Sequence, residues 1–189
     1  PQGCADYAFQ QHIMKSLNPE TGRSVVLWPH GVLFRDSEAE IRKKMIEEDF
    51  VEAVIGLGRG LFYNSGMESC LLVCRMNKIH NRKGHTIFIN AVNEIKTERS
   101  MAYLLPKHIS KISKAYYGFK DIDGFCKVVS KSEILKNNGN LSVQLYAKPL
   151  VEESQSEVHE LITDIKNKSI ELNNSIESLL MQFKNLEIK

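Results

Sequence analysis

Trp28-Pro29-His30-Gly31-Val32-Leu33-Phe34-Arg35, followed by Gly56-Leu57-Gly58-Arg59-Gly60-Leu61-Phe62-Tyr63-Asn64-Ser65-Gly66, is the pair of segments on which the fold turns. Each is entered by a short apolar run, Ser24–Trp28 and Val51–Ile55. A run of that kind bounded by breakers is the pattern of a fully buried strand. Both segments therefore read as loops at the carboxyl ends of strands, the edge at which open α/β sheets place their ligands. Between them Ser37 precedes a predicted helix, Glu38–Glu48, with Ile41, Met45 and Ile46 turned inward and Glu40 three residues after the cap. Strand, helix, strand at this spacing predicts a βαβ unit with parallel pairing. Ser69–Cys74 and Thr86–Asn90 add two further strands, whose hairpin-like order predicts a mixed sheet edge.

Working outward, Asp6 is placed to cap a first helix with Phe9, Ile13 and Leu17 on one face, and Asn18-Pro19-Glu20-Thr21-Gly22 ends it. Downstream, Pro106 opens a helix through Tyr116, with Ile109 and Ile112 inward and lysines outward. Ser130–Lys136 reads as a short helix and Asn137–Asn140 as a turn. The last segment differs in kind. Val158, Ile162, Ile165, Ser169, Leu172, Ile176, Leu179, Phe183 and Leu186 follow a 4-3 alternation with no proline or glycine. That is a heptad seam, either folded back on its own domain or docked on another helix. The predicted division is 1–150 and 151–189.

With 189 residues, 42% hydrophobic and 25% charged, the chain suits one globular domain with an appendage. It contains no apolar run of the length, about 18 residues or more, that a membrane-spanning helix requires. Pro1-Gln2-Gly3-Cys4 lacks the pattern of a signal peptide and an initiator methionine, which points to a chain that begins inside a longer protein. Cys4, Cys70, Cys74 and Cys126 form no Cys-x-x-Cys pair, so no zinc site is predicted. Cys70 and Cys74 are expected as small hydrophobes on one strand face in a reducing cytosol.

Charge is uneven. Arg75 to Lys120 holds ten Lys/Arg against Glu94 and Glu98, whereas Val151 to Lys189 holds four Lys against eight Asp/Glu. The basic stretch suits a polyanion, or is simply a solvated basic surface. Lys107, Lys111 and Lys114 share one flank of the predicted helix and, with Arg59, are the candidate contacts to a DNA backbone. Gly56-x-Gly58-x-Gly60 lacks the third glycine of a dinucleotide loop and the Lys-Ser/Thr of a P-loop. It is better read as a tight loop presenting Arg59, Phe62 and Tyr63. Those two aromatics either plug the sheet edge or form a platform on which an extruded base stacks.

The ordered set of pieces resembles the second half of an adenine-N6 DNA methyltransferase domain, in particular the modification (M) subunit of type I restriction-modification systems. The matching residues are Ala5-Asp6-Tyr7-Ala8-Phe9, Leu27 to Arg35, Ile41-Arg42-Lys43-Lys44, Ala53 to Leu57, Leu61-Phe62-Tyr63, Ile87 to Ala91, and Gly124-Phe125 to Ile134. The resemblance covers roughly residues 5–150. It implies an α/β fold: the C-terminal half of a Rossmann-like methyltransferase sheet with flanking helices, followed by a long C-terminal amphipathic or coiled-coil helix.

It also implies S-adenosylmethionine as methyl donor and the exocyclic amine of adenine in duplex DNA as acceptor. By position, Phe62 would stack on the flipped adenine, with Tyr63 the neighbouring candidate. Phe9 would lie against the cofactor's adenine, and Pro29 and His30 would border the pocket, His30 in a structural rather than acid–base role. The implied partners are DNA, a specificity (S) subunit, a second M subunit and a restriction (R) subunit, in the cytoplasm, with no membrane.

The departures are as informative. The family's Asn/Asp-Pro-Pro-Phe/Tyr loop does not occur, and Asn18-Pro19-Glu20 is a decoy that follows the helix. Nor is there the glycine-rich cofactor loop or its acidic partner. A family proline near Gly58 is missing, and Asn90 stands where an aspartate is usual. The expectation is a chain that starts just after the catalytic loop and is inactive alone. The alternative is a non-catalytic, truncated paralogue that scaffolds DNA-binding partners.

Overall fold

Val51–Leu57 is buried at all seven positions, and the first unit of the chain is layered around it. The computed structural model describes residues 5–62, 65–98, 101–149 and 155–186. In chain order these give α1 (Asp6–Ser16), β1 (Arg23–Pro29), α2 (Ala39–Glu47), β2 (Val51–Leu57), β3 (Ser69–Arg75), β4 (His85–Ala91), β5 (Lys96–Glu98), β6 (Met101–Tyr103), α3 (Pro106–Gly118), β7 (Cys126–Ser130), α4 (Lys131–Lys136), α5 (Val143–Tyr146) and α6 (Gln155–Leu186). Two compact units result, residues 1–150 and 151–189.

The main sheet runs β1-β3-β2-β4-β7, and β5 pairs with β6 in a separate ribbon. β3 is antiparallel to both β1 and β2, β4 is parallel to β2, and β7 is antiparallel to β4. The expected βαβ connection is present, since β1 and β2 point the same way and α2 connects them, but the parallel pairing expected between them is not. They are not neighbours. β3 returns between them, with Leu71 opposite both Leu27 and Ile55. Its side chains are apolar on both faces, which suits a central strand.

One face of the sheet offers Val54, Cys70, Leu72, Cys74 and Phe88 to Tyr7, Met14, Leu33, Met45, Ile46 and Ile134. The other packs Ile55, Val73, Ile87 and Ile89 against Ala115 and Phe125, with Ile112 and Tyr116 at the margin. Cys70, Cys74 and Cys126 are free and buried, and the first two share a face as expected.

Packing changes several local expectations. β1 is an edge strand, not a fully buried one: Val25 and Leu27 are 62% and 42% exposed. Among the described residues only β3 pairs with it. On α1 the inward residues are Tyr7, Gln10 and Met14, and Phe9 is 62% exposed. Gln10 tolerates burial because its Oε1 accepts from Trp28 Nε1 at 2.9 Å and its Nε2 donates to Cys74 Sγ at 3.6 Å.

Asp6 does not cap α1; its carboxylate accepts from Arg35 Nη2 at 2.6 Å. Nor does Ser37 cap α2. Asp36–Glu38 is a 3-10 turn that carries Glu38 into full burial. In α3, Ile112 packs inward while Ile109 is 51% exposed, and His108 and Ala115 take the buried positions. α4 forms as expected, with Ser130 Oγ accepting from the Glu133 N–H at 3.3 Å.

The second unit is the single helix α6. It runs without a break through the predicted heptads, with Ile162, Ile165, Leu172 and Ile176 exposed. The side chains of Val158, Leu179, Phe183 and Leu186, also in that seam, lie outside the described ones.

Candidate functional site

β1 ends at Pro29 and β2 at Leu57, both at the carboxyl edge of the sheet. The loops leaving them border a cavity of about 360 Å³, lined by Pro29, His30, Gly31, Arg59, Met67 and Glu68 together with Gly66.

The first loop is rigid for identifiable reasons. His30–Leu33 is a 3-10 turn in which the N–H groups of Phe34 and Arg35 both donate to the Gly31 carbonyl, at 3.2 and 3.0 Å. Val32 and Leu33 anchor it in the core. The Arg35 guanidinium lies so close beneath Gly31 that a Cβ there would approach Nε at 2.9 Å. Arg42, 2% exposed, donates to the Arg35 carbonyl at 3.0 Å and to the Gly139 carbonyl at 2.7 Å. A buried guanidinium satisfied by carbonyls at this spacing acts as a peg between loop and turn.

The second loop shows what its glycines do. A Cβ at Gly58 would collide with the Val92 carbonyl, and Gly60 adopts φ +76°, with its carbonyl accepting from the Ala102 N–H at 2.9 Å. They allow close backbone approach to β6 and to the loop after β4, which is the tight-loop reading. Phe62 and Ser65 form an isolated bridge, with the Ser65 N–H donating to the Phe62 carbonyl at 3.2 Å.

The structure thus brings Pro29, His30 and Arg59 together. Phe62, half-buried, belongs to the same loop but does not line the cavity. Tyr63 lies outside the described residues. Phe9 stands exposed on α1, and Lys107, Lys111 and Lys114 are exposed along α3. Lys111 is already engaged, in an ion pair with Glu94 and over the Phe125 ring at 4.3 Å. Arg75 and Arg82 both face Glu52, and Lys78 faces Asp49 at 2.7 Å. The run of basic residues therefore overstates the free positive surface.

One site residue is not legible from motif reading. Glu68 reaches Arg59 Nε with Oε1 at 3.1 Å and lies 3.8 Å from His30 Nδ1 with Oε2. Its carbonyl also accepts from the His30 N–H at 3.3 Å. The available signal was that Glu68 is the sole carboxylate between Gly56 and Arg75. The cavity rim is therefore a guanidinium, an imidazole and a carboxylate, able to hold and orient a polar or anionic group. For an adenosyl cofactor Phe9 offers an open aromatic on α1, while Asp6 is tied to Arg35. They fit a margin of such a site and not the whole of it.

The N-6 DNA methylase family pattern matches residues 1–155. The chain belongs to the N-6 DNA methylase family. Among N-6 DNA methylase relatives, the type I restriction enzyme MjaVIII methylase subunit of Methanocaldococcus jannaschii is 40% identical over 174 residues, 88% of this chain and 30% of that protein. The MpnII methylase subunit of Mycoplasma pneumoniae is 30% identical over 188 residues, 97% of this chain and 34% of that protein. The crystal structure of a type I restriction-modification methyltransferase subunit from Streptococcus thermophilus superposes with a TM-score of 0.73 at 33% identity, covering 78% of this chain and 31% of that one. This N-6 DNA methylase segment thus spans about a third of the length of the curated relatives it matches.

Proposed function

We propose that this chain is the post-catalytic-loop portion of a type I modification subunit. The whole protein would transfer a methyl group from S-adenosylmethionine to the N6 amine of adenine in duplex DNA. The observation that carries the reading is the family match, running through the strand edge at which His30, Arg59 and Glu68 converge. The segment alone binds the donor weakly and does not methylate, because the Asn/Asp-Pro-Pro-Phe/Tyr loop is not among its residues.

In this reading Phe62, or Tyr63 beside it, stacks on the extruded adenine, and the rigid Pro29-His30-Gly31 turn walls the pocket. His30 serves by shape and hydrogen bonding. Phe9 borders the donor's adenine; bound there, S-adenosylmethionine supplies the electrophilic methyl group. Arg59, Lys107, Lys111 and Lys114 contact phosphates, which positions the duplex without reading its sequence. The acidic helix α6 packs against helices of a specificity subunit, in an assembly with a second modification subunit and a restriction subunit. No helix among the described residues is long and apolar enough to cross a membrane, and the reaction places the assembly with the DNA in the cytoplasm.

The test is base extrusion in the full-length protein with its partner subunits. With 2-aminopurine at the target adenine, the unmodified protein brightens the probe and Phe62→Ala brightens it less. Equal brightening in both would refute the stacking role.

A further inference from the structure

Glu68 stands between the two basic groups at the cavity rim, and its contacts are of a kind that exchange. Arg59 is 75% exposed along its side chain and meets Glu68 through Nε at 3.1 Å, one of the five N–H donors a guanidinium carries. His30 Nδ1 lies 3.8 Å from the other carboxylate oxygen, beyond hydrogen-bond range. The Glu68 backbone is held separately, by the His30 N–H on its carbonyl. The side chain can therefore swing without dislodging the loop. The pair is exposed on the Arg59 side and partly buried on the Glu68 side, at 21% side-chain exposure, so it contributes modest net stability, whereas a phosphodiester offers Arg a bidentate acceptor and releases condensed counterions on binding. His30 has an N–H to donate in either protonation state.

We propose that Arg59 and His30 form a phosphodiester-binding pair at the mouth of this cavity, and that Glu68 occupies the phosphate's place until the backbone of a duplex displaces it. The site takes a phosphate of a DNA strand beside the extruded base, so the inference rests on the DNA-methylating reading above. Glu68 acts as a built-in competitor. It keeps the pair neutral in the free protein, and it lowers affinity for any polyanion that cannot place a phosphate here.

The experiment is duplex binding by the full-length protein with its partner subunits, followed by fluorescence anisotropy across about 50 to 200 mM salt, the range in which phosphate contacts show. Glu68→Gln, close in shape to the original, is expected to bind about three- to ten-fold tighter at low salt, since an uncompensated carboxylate beside a phosphate is removed. Glu68→Ala should move in the same direction, and the gain should vanish when Arg59→Ala is added. Unchanged or weaker binding by Glu68→Gln would overturn the proposal, as would a gain that persists without Arg59. If the unmodified protein binds no duplex, the DNA reading and this inference both fall. If it binds and Glu68→Gln gains nothing, only this inference falls.

Discussion

Arg35 donates from Nη2 to the Asp6 carboxylate at 2.6 Å, tying the first turn of α1 to the loop that leaves β1. The same guanidinium faces the fully buried Glu38 at 3.5 Å and lies beneath Gly31. One side chain thus sets the start of α1, the His30 turn and the entry to α2. Arg35→Ala leaves the Glu38 carboxylate buried without this cation, and breaking a buried pair from one side costs about 3 kcal/mol. Asp6→Asn, at a partly exposed position, should cost about 1 kcal/mol or less. Urea unfolding that ranks the two variants in the opposite order would refute the arrangement.

A second buried charge pins α3 to the sheet. Glu52, 1% exposed on β2, accepts from Arg82 Nη1 and from the Tyr116 hydroxyl, each at 3.0 Å. Arg82 also donates to the Tyr116 and Tyr117 carbonyls at 3.2 Å and packs against the rings of Tyr116 and Phe119. Glu52→Ala strands the guanidinium and should destabilise the first unit by about 3 to 5 kcal/mol. Adding Arg82→Met should recover part of that loss. Failure of the double variant to regain stability would show that Arg82 is held by its carbonyl and ring contacts independently of Glu52.

How much of this was legible in sequence varies residue by residue. β1 to β4 were, because their apolar runs are local, whereas the short β5 and β6 and the edge strand β7, Cys126–Ser130, carry no such run and were not expected. The insertion of β3 between β1 and β2 was not, since strand order is set by long-range pairing that period alone does not encode. The expected face of α1 holds only in part, Leu17 packing on the core while Phe9 is exposed, because Phe9, Ile13, Leu17 and Tyr7, Gln10, Met14 both fit helical spacing. A polar Gln10 hid the true face until Trp28 and Cys74 supplied its partners. Pro29, His30 and Arg59 were legible as loop residues. Glu68, Arg35 and Arg42 were not, for their meaning lies in partners 7 to 97 residues away.

Buried thiols give a pH signature. Desolvation pushes Cys70 and Cys74 from about 9 up to about 12. A raised folded-state pKa contributes stability that is complete below about pH 9 and is lost as pH climbs from about 9 to about 12. Lys78, lowered by burial despite Asp49, acts in the opposite direction below its ordinary value of 10.5. Comparing variants that all retain Lys78 removes most of that contribution, the remainder being its coupling to Cys74. Between about pH 8 and pH 10 the unmodified chain should lose roughly 1 kcal/mol per thiol more than Cys70→Ala/Cys74→Ala does. Parallel pH profiles for the two would contradict the assignment.

The lysines of α3 should not behave alike. Lys107 and Lys114 are exposed, whereas Lys111 is paired with Glu94 and lies over Phe125. In the full assembly, Lys107→Ala and Lys114→Ala should each weaken duplex binding and flatten its log–log salt slope by about 1. Lys111→Ala should do distinctly less. No effect from any of the three would remove this helix from the DNA face, and three equal effects would show that Lys111 leaves Glu94 for a phosphate.

Adenine methylation is read directly from the product of the full-length protein. The protein and its partner subunits are incubated with duplex DNA and isotopically labelled S-adenosylmethionine, and the digested nucleosides are resolved by mass spectrometry. Label is expected in N6-methyl-2′-deoxyadenosine, and none when the chain of residues 1–189 is used alone. Label on cytosine, or no transfer by the whole assembly, would contradict the adenine-methylating reading.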